Sequence, residues 1–337
     1  MNRAVLKNNL ELLKTMTECW KNVIEVPVEL INNGFLKSSD PKKQSTGIQL
    51  IGLILANQIN SYKMMPGDQN GMEFFKLIIS FIKDKSKMLH ASSSEVVGML
   101  FKSLESQIIK IEKEQFAELF EFVRQIILGF EEDSQFITCL HKIQLNYSKI
   151  TEPFLSRLVF KMPGLYGEFK QMCAECILAS LPKLEDKIFN TKLFTDMITN
   201  RDSLLQLVCL KMIYTMLDQQ TEEDLNRLLP IVCSFKTHSN AACRYQMILI
   251  LISLFEKFNL ENRVSKVLQL VNETLLIVLL DEDQSIRILA QNFWCEKANM
   301  PTSTIERLVK KIKEEKFSKL KKTSKSEINE IFFRANV

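Results

Sequence analysis

Apolar side chains recur in steps of three and four along nearly the whole chain, and that period commits the backbone to helices. Val264, Val267, Leu268, Val271, Leu275, Val278 and Leu279 fall on one helical face, while Ser265, Lys266, Gln269, Asn272 and Glu273 occupy the other. The next stretch repeats the pattern with Ile286, Leu289, Ala290, Phe293 and Trp294. Between them lies the acidic turn Asp281-Glu282-Asp283-Gln284. Asp281 with Gln284, or Asp283 alone, can accept the orphan N–H groups that open the second helix. Composition excludes the main competitor. Nine Gly and eight Pro in 337 residues are far below the usual joint share of about 12%, and sheet proteins need such residues for their hairpins. The expected fold is all-α.

Pro153, Pro163, Pro182, Pro230 and Pro301 punctuate the pattern near the edges of periodic stretches, where a missing N–H costs least. About fifteen helices of roughly 10–18 residues are expected, with loops at 32–45 and 61–71. An internal repeat then emerges. Asp283-x-x-Ile286-Arg287-x-x-Ala290-x-x-Phe293 matches Asn240-x-x-Cys243-Arg244-x-x-Met247-x-x-Ile250, and more weakly Asp202-x-x-Leu205-Gln206-x-x-Cys209-x-x-Met212. A capping residue, an apolar–Arg step and apolar positions three apart open the inner helix of HEAT repeats, whose period is roughly 40–47 residues. The architecture this predicts is an α-solenoid of HEAT-like antiparallel helix pairs, each burying its stripe on its neighbours. Residues 1–309 are expected to form the repeat segment, and 310–337 a Lys-rich C-terminal tail that is frayed or disordered.

Charge is unevenly placed. The net charge is +4, yet residues 307–325 hold nine basic side chains against only Glu314 and Glu315. The rest of the chain is close to neutral. Lys310, Lys311, Lys313, Lys319, Lys321 and Lys322 could neutralise phosphates and bind DNA without regard to sequence. The same run also suits a nuclear import signal, or a solvated helix end that keeps the chain soluble. The longest apolar runs, such as Met247 to Ile252, are far short of the roughly 20 residues a bilayer span needs, so no membrane association is expected. The eight Cys lie mostly among apolar neighbours, as buried thiols of a reducing compartment do.

Catalytic patterns are missing. Kinase chemistry needs a Gly-rich phosphate loop and a metal-holding Asp, but no Gly-x-Gly-x-x-Gly and no Asp-Phe-Gly occurs. Asn200-Arg201-Asp202 reads as the start of a helix rather than a catalytic loop. Gly47-x-x-x-x-Gly52 is followed by Leu53, not Lys, which excludes a P-loop. Cys173 and Cys176, with Cys139 and His141, could be assembled into a zinc site. The run Met172 to Leu178 reads as mid-helix, however, which favours core thiols. His90, before Ala91-Ser92-Ser93-Ser94, and His238, beside Ser239-Asn240, are both expected in turns. No catalytic residue, cofactor or metal is expected.

Several strings resemble one family. Asn9-Leu10-Glu11-Leu12-Leu13-Lys14-Thr15 with Glu18-Cys19-Trp20-Lys21, then Gly47-Ile48-Gln49-Leu50-Ile51-Gly52 with Ala56-Asn57, and finally Asn292-Phe293-Trp294 with Pro301-x-x-Thr304-x-x-Arg307-Leu308 follow one another in order. They are similar to the middle helical region of the DNA-dependent protein kinase catalytic subunit family, from about residue 3 to about residue 309. The resemblance implies a non-kinase HEAT segment of a large nuclear serine/threonine kinase. In that setting it would act in double-strand-break repair by non-homologous end joining, with the Ku heterodimer and DNA ends as partners. The competing reading is a generic HEAT adaptor or transport-type protein-binding scaffold.

Overall fold

The computed structural model describes residues 3–20, 28–58, 69–181, 191–260 and 266–317. Among them are sixteen α-helices and no strand. The chain divides into two compact units, residues 1–180 and 181–337.

The first unit holds α1 (Arg3–Trp20), α2 (Val28–Ile31), α3 (Pro41–Ala56), α4 (Gln69–Ser80), α5 (Lys87–Glu105), α6 (Lys113–Leu128), α7 (Asp133–Gln144), α8 (Leu155–Lys161) and α9 (Gly167–Ser180). Alternate helices share a layer. α3, α5, α7 and α9 each pack on the next, while α4 and α6 pack together in the other layer. The sequence writes this arrangement locally. Asp40 accepts the Lys42 N–H at 2.9 Å and Pro41 fills the first helical position, so α3 starts sharply. Glu112 and Gln115 form a capping box that starts α6. The α5–α7 contact is unusually close, because Gly98 faces the Ile143 carbonyl with no side chain between. Phe101 stacks on Tyr147 at 5.4 Å, with Phe116 and Phe120 edge-on around the pair.

The second unit holds α10 (Thr191–Ile198), α11 (Ser203–Thr215), α12 (Glu222–Ser234), α13 (Ala241–Leu260), α14 (Lys266–Val278), α15 (Gln284–Glu296) and α16 (Thr302–Phe317). α11, α13 and α15 form one layer, α10, α12 and α14 the other, and α16 packs on α15. The core is a row of fully buried apolar side chains that includes Met212, Met247, Leu251, Leu275 and Trp294. Burying each such side chain contributes roughly 1.5–3 kcal/mol.

Some expectations need correction. The loop expected over 32–45 shrinks to a turn at 37–40, because Asn32–Leu36 form a π-helical turn and α3 begins at Pro41. Residues 69–71, placed in the second loop, open α4, and 61–68 lie outside the described residues. Pro230 sits inside α12 rather than at an edge. It is exposed, as is Asn226 whose carbonyl it leaves without a helical donor, so water can satisfy that oxygen. His90 is not in a turn. It lies buried in the first turn of α5 with Nδ1 2.6 Å from the Ile82 carbonyl, which can only accept, so Nδ1 carries the proton. The Ser run after it is helical, with Ser93 and Ser94 satisfying their buried hydroxyls by donating back to the His90 carbonyl.

Candidate functional site

The three copies of the repeat motif occupy one structural position. Asp202 caps α11, Asn240 accepts from the Ala242 N–H at the start of α13, and Asp283 caps α15. Of the two capping options on the acidic turn, Asp283 therefore does the capping. Asp281 has another task. The residue four past each cap folds back over the preceding turn. Gln206 donates to the Ile198 carbonyl at 3.0 Å and meets His238 Nε2 at 2.9 Å. Arg244 donates to the His238 and Ser239 carbonyls at 2.7 and 3.2 Å and forks onto the Asp281 carboxylate at 2.8 and 3.0 Å. Arg287 donates to the Asp281 and Glu282 carbonyls at 2.6 and 2.9 Å. A continuous polar row thus ties three successive turns together. The Arg244 and Asp281 side chains are only 5% and 4% exposed, so the pair works in a low-dielectric setting. The Asp281 hydrogen bonds push the Arg244 pKa above its already high value. The sequence signal for this row was the Arg at the fourth position past the cap in two motif copies.

The thiol and histidine group in the first unit is dispersed into separate packing and hydrogen-bonding roles. Cys139, Cys173 and Cys176 are fully buried. Burial pushes the Cys139 and Cys173 thiols up to about 12 and Cys176 well above the ordinary value. The Cys173 S–H donates a hydrogen bond to the Leu158 carbonyl. His141 turns to Glu175, with Nε2 2.5 Å from Oε2, and ties α7 to α9. Among the described residues no group of three or more His, Cys, Asp or Glu side chains could hold a metal ion. Asn200-Arg201-Asp202 is the capped start of α11, and Gly47 and Gly52 lie within α3.

The basic C-terminal residues are only partly described. Lys310 and Lys311 are exposed on α16, which runs through the 309/310 boundary without a break. Lys310 borders a groove of about 570 Å³ between α15 and α16, with Gln291, Asn292, Cys295, Thr302 and Glu306. Lys313 lies on the same helix, and Lys319, Lys321 and Lys322 lie outside the described residues. A second basic group escaped sequence reasoning. Lys37, Lys42 and Lys43 flank the turn into α3, and Lys83, Lys85 and Lys87 flank the turn into α5, all six exposed. The signal that could have found it is the spacing of the two triplets, which is one repeat period.

Stacked antiparallel helix pairs, capped at one period and joined by a polar row across their turns, define a helical-repeat protein. An engineered protein of known crystal structure shares the fold, with a TM-score of 0.52, 11% identity, and coverage of 91% of this chain and 77% of that one. The family described as DNA-PKcs, CC5 matches residues 1–322, and the chain belongs to it. DNA-dependent protein kinase catalytic subunits from Xenopus laevis and Gallus gallus are each 30% identical over 319 and 320 residues. That from Dictyostelium discoideum is 27% identical over 318 residues. The alignments cover 91% of this chain for the two vertebrate relatives and 87% for Dictyostelium, but only 8%, 8% and 7% of the relatives. The chain therefore corresponds to a small internal, non-kinase part of those proteins.

Proposed function

We propose that this chain is a non-catalytic helical scaffold within a DNA-dependent protein kinase, acting in double-strand-break repair by non-homologous end joining in the nucleus. The observation that carries this reading is the family match over residues 1–322, almost the whole chain. Its partners in this reading are the Ku heterodimer, DNA ends and the remainder of a serine/threonine kinase. Lys310, Lys311, Lys313, Lys319, Lys321 and Lys322 are proposed to add sequence-independent contact to phosphate, since clustered lysines gain affinity by releasing counterions. The chain itself carries out no phosphoryl transfer, for which it lacks a phosphate cradle and a metal-holding Asp.

Deleting the coding region for residues 1–322 in source cells should lower joining of unresected ends in a chromosomal reporter about tenfold. The purified chain should show no heat of binding with Mg-ATP. Normal end joining after the deletion would refute the repair role. Saturable micromolar ATP binding, lost on a point substitution in this chain, would refute the scaffold role.

A further inference from the structure

We propose that the edge of the first unit formed by the turns into α3 and α5 binds the phosphate backbone of duplex DNA, independently of the C-terminal lysines. The inference rests on the reading that the chain works on DNA. α3 and α5 are packed neighbours in one layer, and helices in contact lie roughly 8–10 Å apart. Their leading turns therefore bring Lys37, Lys42 and Lys43 beside Lys83, Lys85 and Lys87. Duplex DNA carries one charge per about 1.7 Å of axis, so a strip of this width, extended by lysine reach, faces several phosphates.

Some lysines elsewhere pair with carboxylates, as Lys76 does with Glu118, Lys149 with Glu105, Lys161 with Asp133 and Lys297 with Glu256. What distinguishes these six is that they gather on two neighbouring turns and are all exposed. None of these six makes an ion pair among the described residues. The acidic residues on the two turns, Asp40 and Asp84, are engaged by backbone N–H groups of Lys42 and Ser86. Those two carboxylates keep their charge, so the six lysines leave a net +4 on the edge, and an external polyanion relieves their mutual repulsion. On the next turn of the layer Glu131 and Glu132 are exposed and end the strip.

The chemistry favours phosphate over an acidic peptide. Peptide and protein interfaces take most of their affinity from buried apolar or aromatic anchors. Among the described residues of the two turns, the one large exposed apolar side chain is Met88. Phosphate contacts need only lysines and hydroxyls, and Ser39 and Ser86 are exposed between the lysines.

The test uses four versions of the full chain: natural, edge lysines replaced by Gln, C-terminal lysines replaced by Gln, and both sets replaced. Fluorescence anisotropy follows a blunt duplex of about 30 base pairs across about 50–200 mM salt. The edge variant should bind about tenfold more weakly at mid-range salt, and its logarithmic salt slope should flatten by about 3, near 0.9 for each phosphate no longer neutralised. Binding that survives the C-terminal replacement should vanish in the combined variant. An unchanged affinity and slope in the edge variant would overturn the proposal, as would absence of duplex binding by the natural chain. Displacement of the duplex by polyglutamate as readily as by unlabelled DNA would also overturn it, in favour of an acidic protein partner. Circular dichroism checks folding; if the six-lysine variant does not fold, Lys83→Gln, Lys85→Gln and Lys87→Gln alone should flatten the slope by about half as much. Failure of the edge leaves the repair role untouched, because that role is read by end joining in cells.

Discussion

Arg244→Ala is expected to destabilise the second unit by about 3–5 kcal/mol, the usual effect of leaving one partner of a buried ion pair uncompensated. The substitution strands the Asp281 carboxylate, which is only 4% exposed, and leaves the His238 and Ser239 carbonyls without their donor. Urea unfolding followed by circular dichroism reads the effect. Arg244→Lys should restore only part of it, because one ammonium cannot reproduce a fork that reaches both Asp281 oxygens and two carbonyls at once. The double replacement Arg244→Met with Asp281→Leu should come much closer to the natural stability than Arg244→Ala, since removing both charges leaves none unpaired. A loss below about 1 kcal/mol for Arg244→Ala, the scale of an exposed pair, would mean that the polar row does not hold the turns together.

Gly98→Ala is expected to cost about 1–3 kcal/mol as an overpacking change, although alanine is intrinsically better in a helix by up to about 1 kcal/mol. An added Cβ would lie 2.5 Å from the Ile143 carbonyl oxygen and 3.1 Å from its Cα. Both are main-chain atoms, so no rotamer change relieves the clash and α5 and α7 must separate. Gly98→Val should be worse. Gly164→Ala is the matched control in the same unit, with nothing within 4 Å of the added carbon, and it should leave the unfolding midpoint unchanged. Equal stability for the Gly98 and Gly164 variants would show that the α5–α7 approach is looser than described.

The features legible from sequence were those written in local chemistry. The cap at Asp202, Asn240 and Asp283 could be read because a short polar side chain before an apolar period satisfies N–H groups only two or three residues away. The buried state of Cys173 and Cys176 followed from their place in the apolar period. What could not be read depended on neighbours distant in sequence. Asp281 looked like a cap because its partner Arg244 is 37 residues away. His90 and the serines after it looked like a turn because polar residues disfavour helix interiors; the Ile82 carbonyl and the packing against Phe130 reverse that preference. Pro230 looked like a boundary because its effect depends on which side of α12 faces water. The lysine edge was invisible for a related reason. Its two triplets are about one repeat period apart in sequence and become one surface only when successive turns stack.

The assembly role is tested most directly by recovering the endogenous protein on broken DNA. An affinity tag placed at the chromosomal locus allows nuclear extract to be captured on immobilised duplexes with either open or hairpin-blocked ends. If this chain is a scaffold part of a DNA-dependent protein kinase, the tagged protein should be retained on open ends together with Ku and with DNA-stimulated serine/threonine kinase activity. It should be largely lost from blocked ends. Recovery of the tagged protein outside the nucleus, or on both duplexes alike with neither Ku nor kinase activity, would contradict the account.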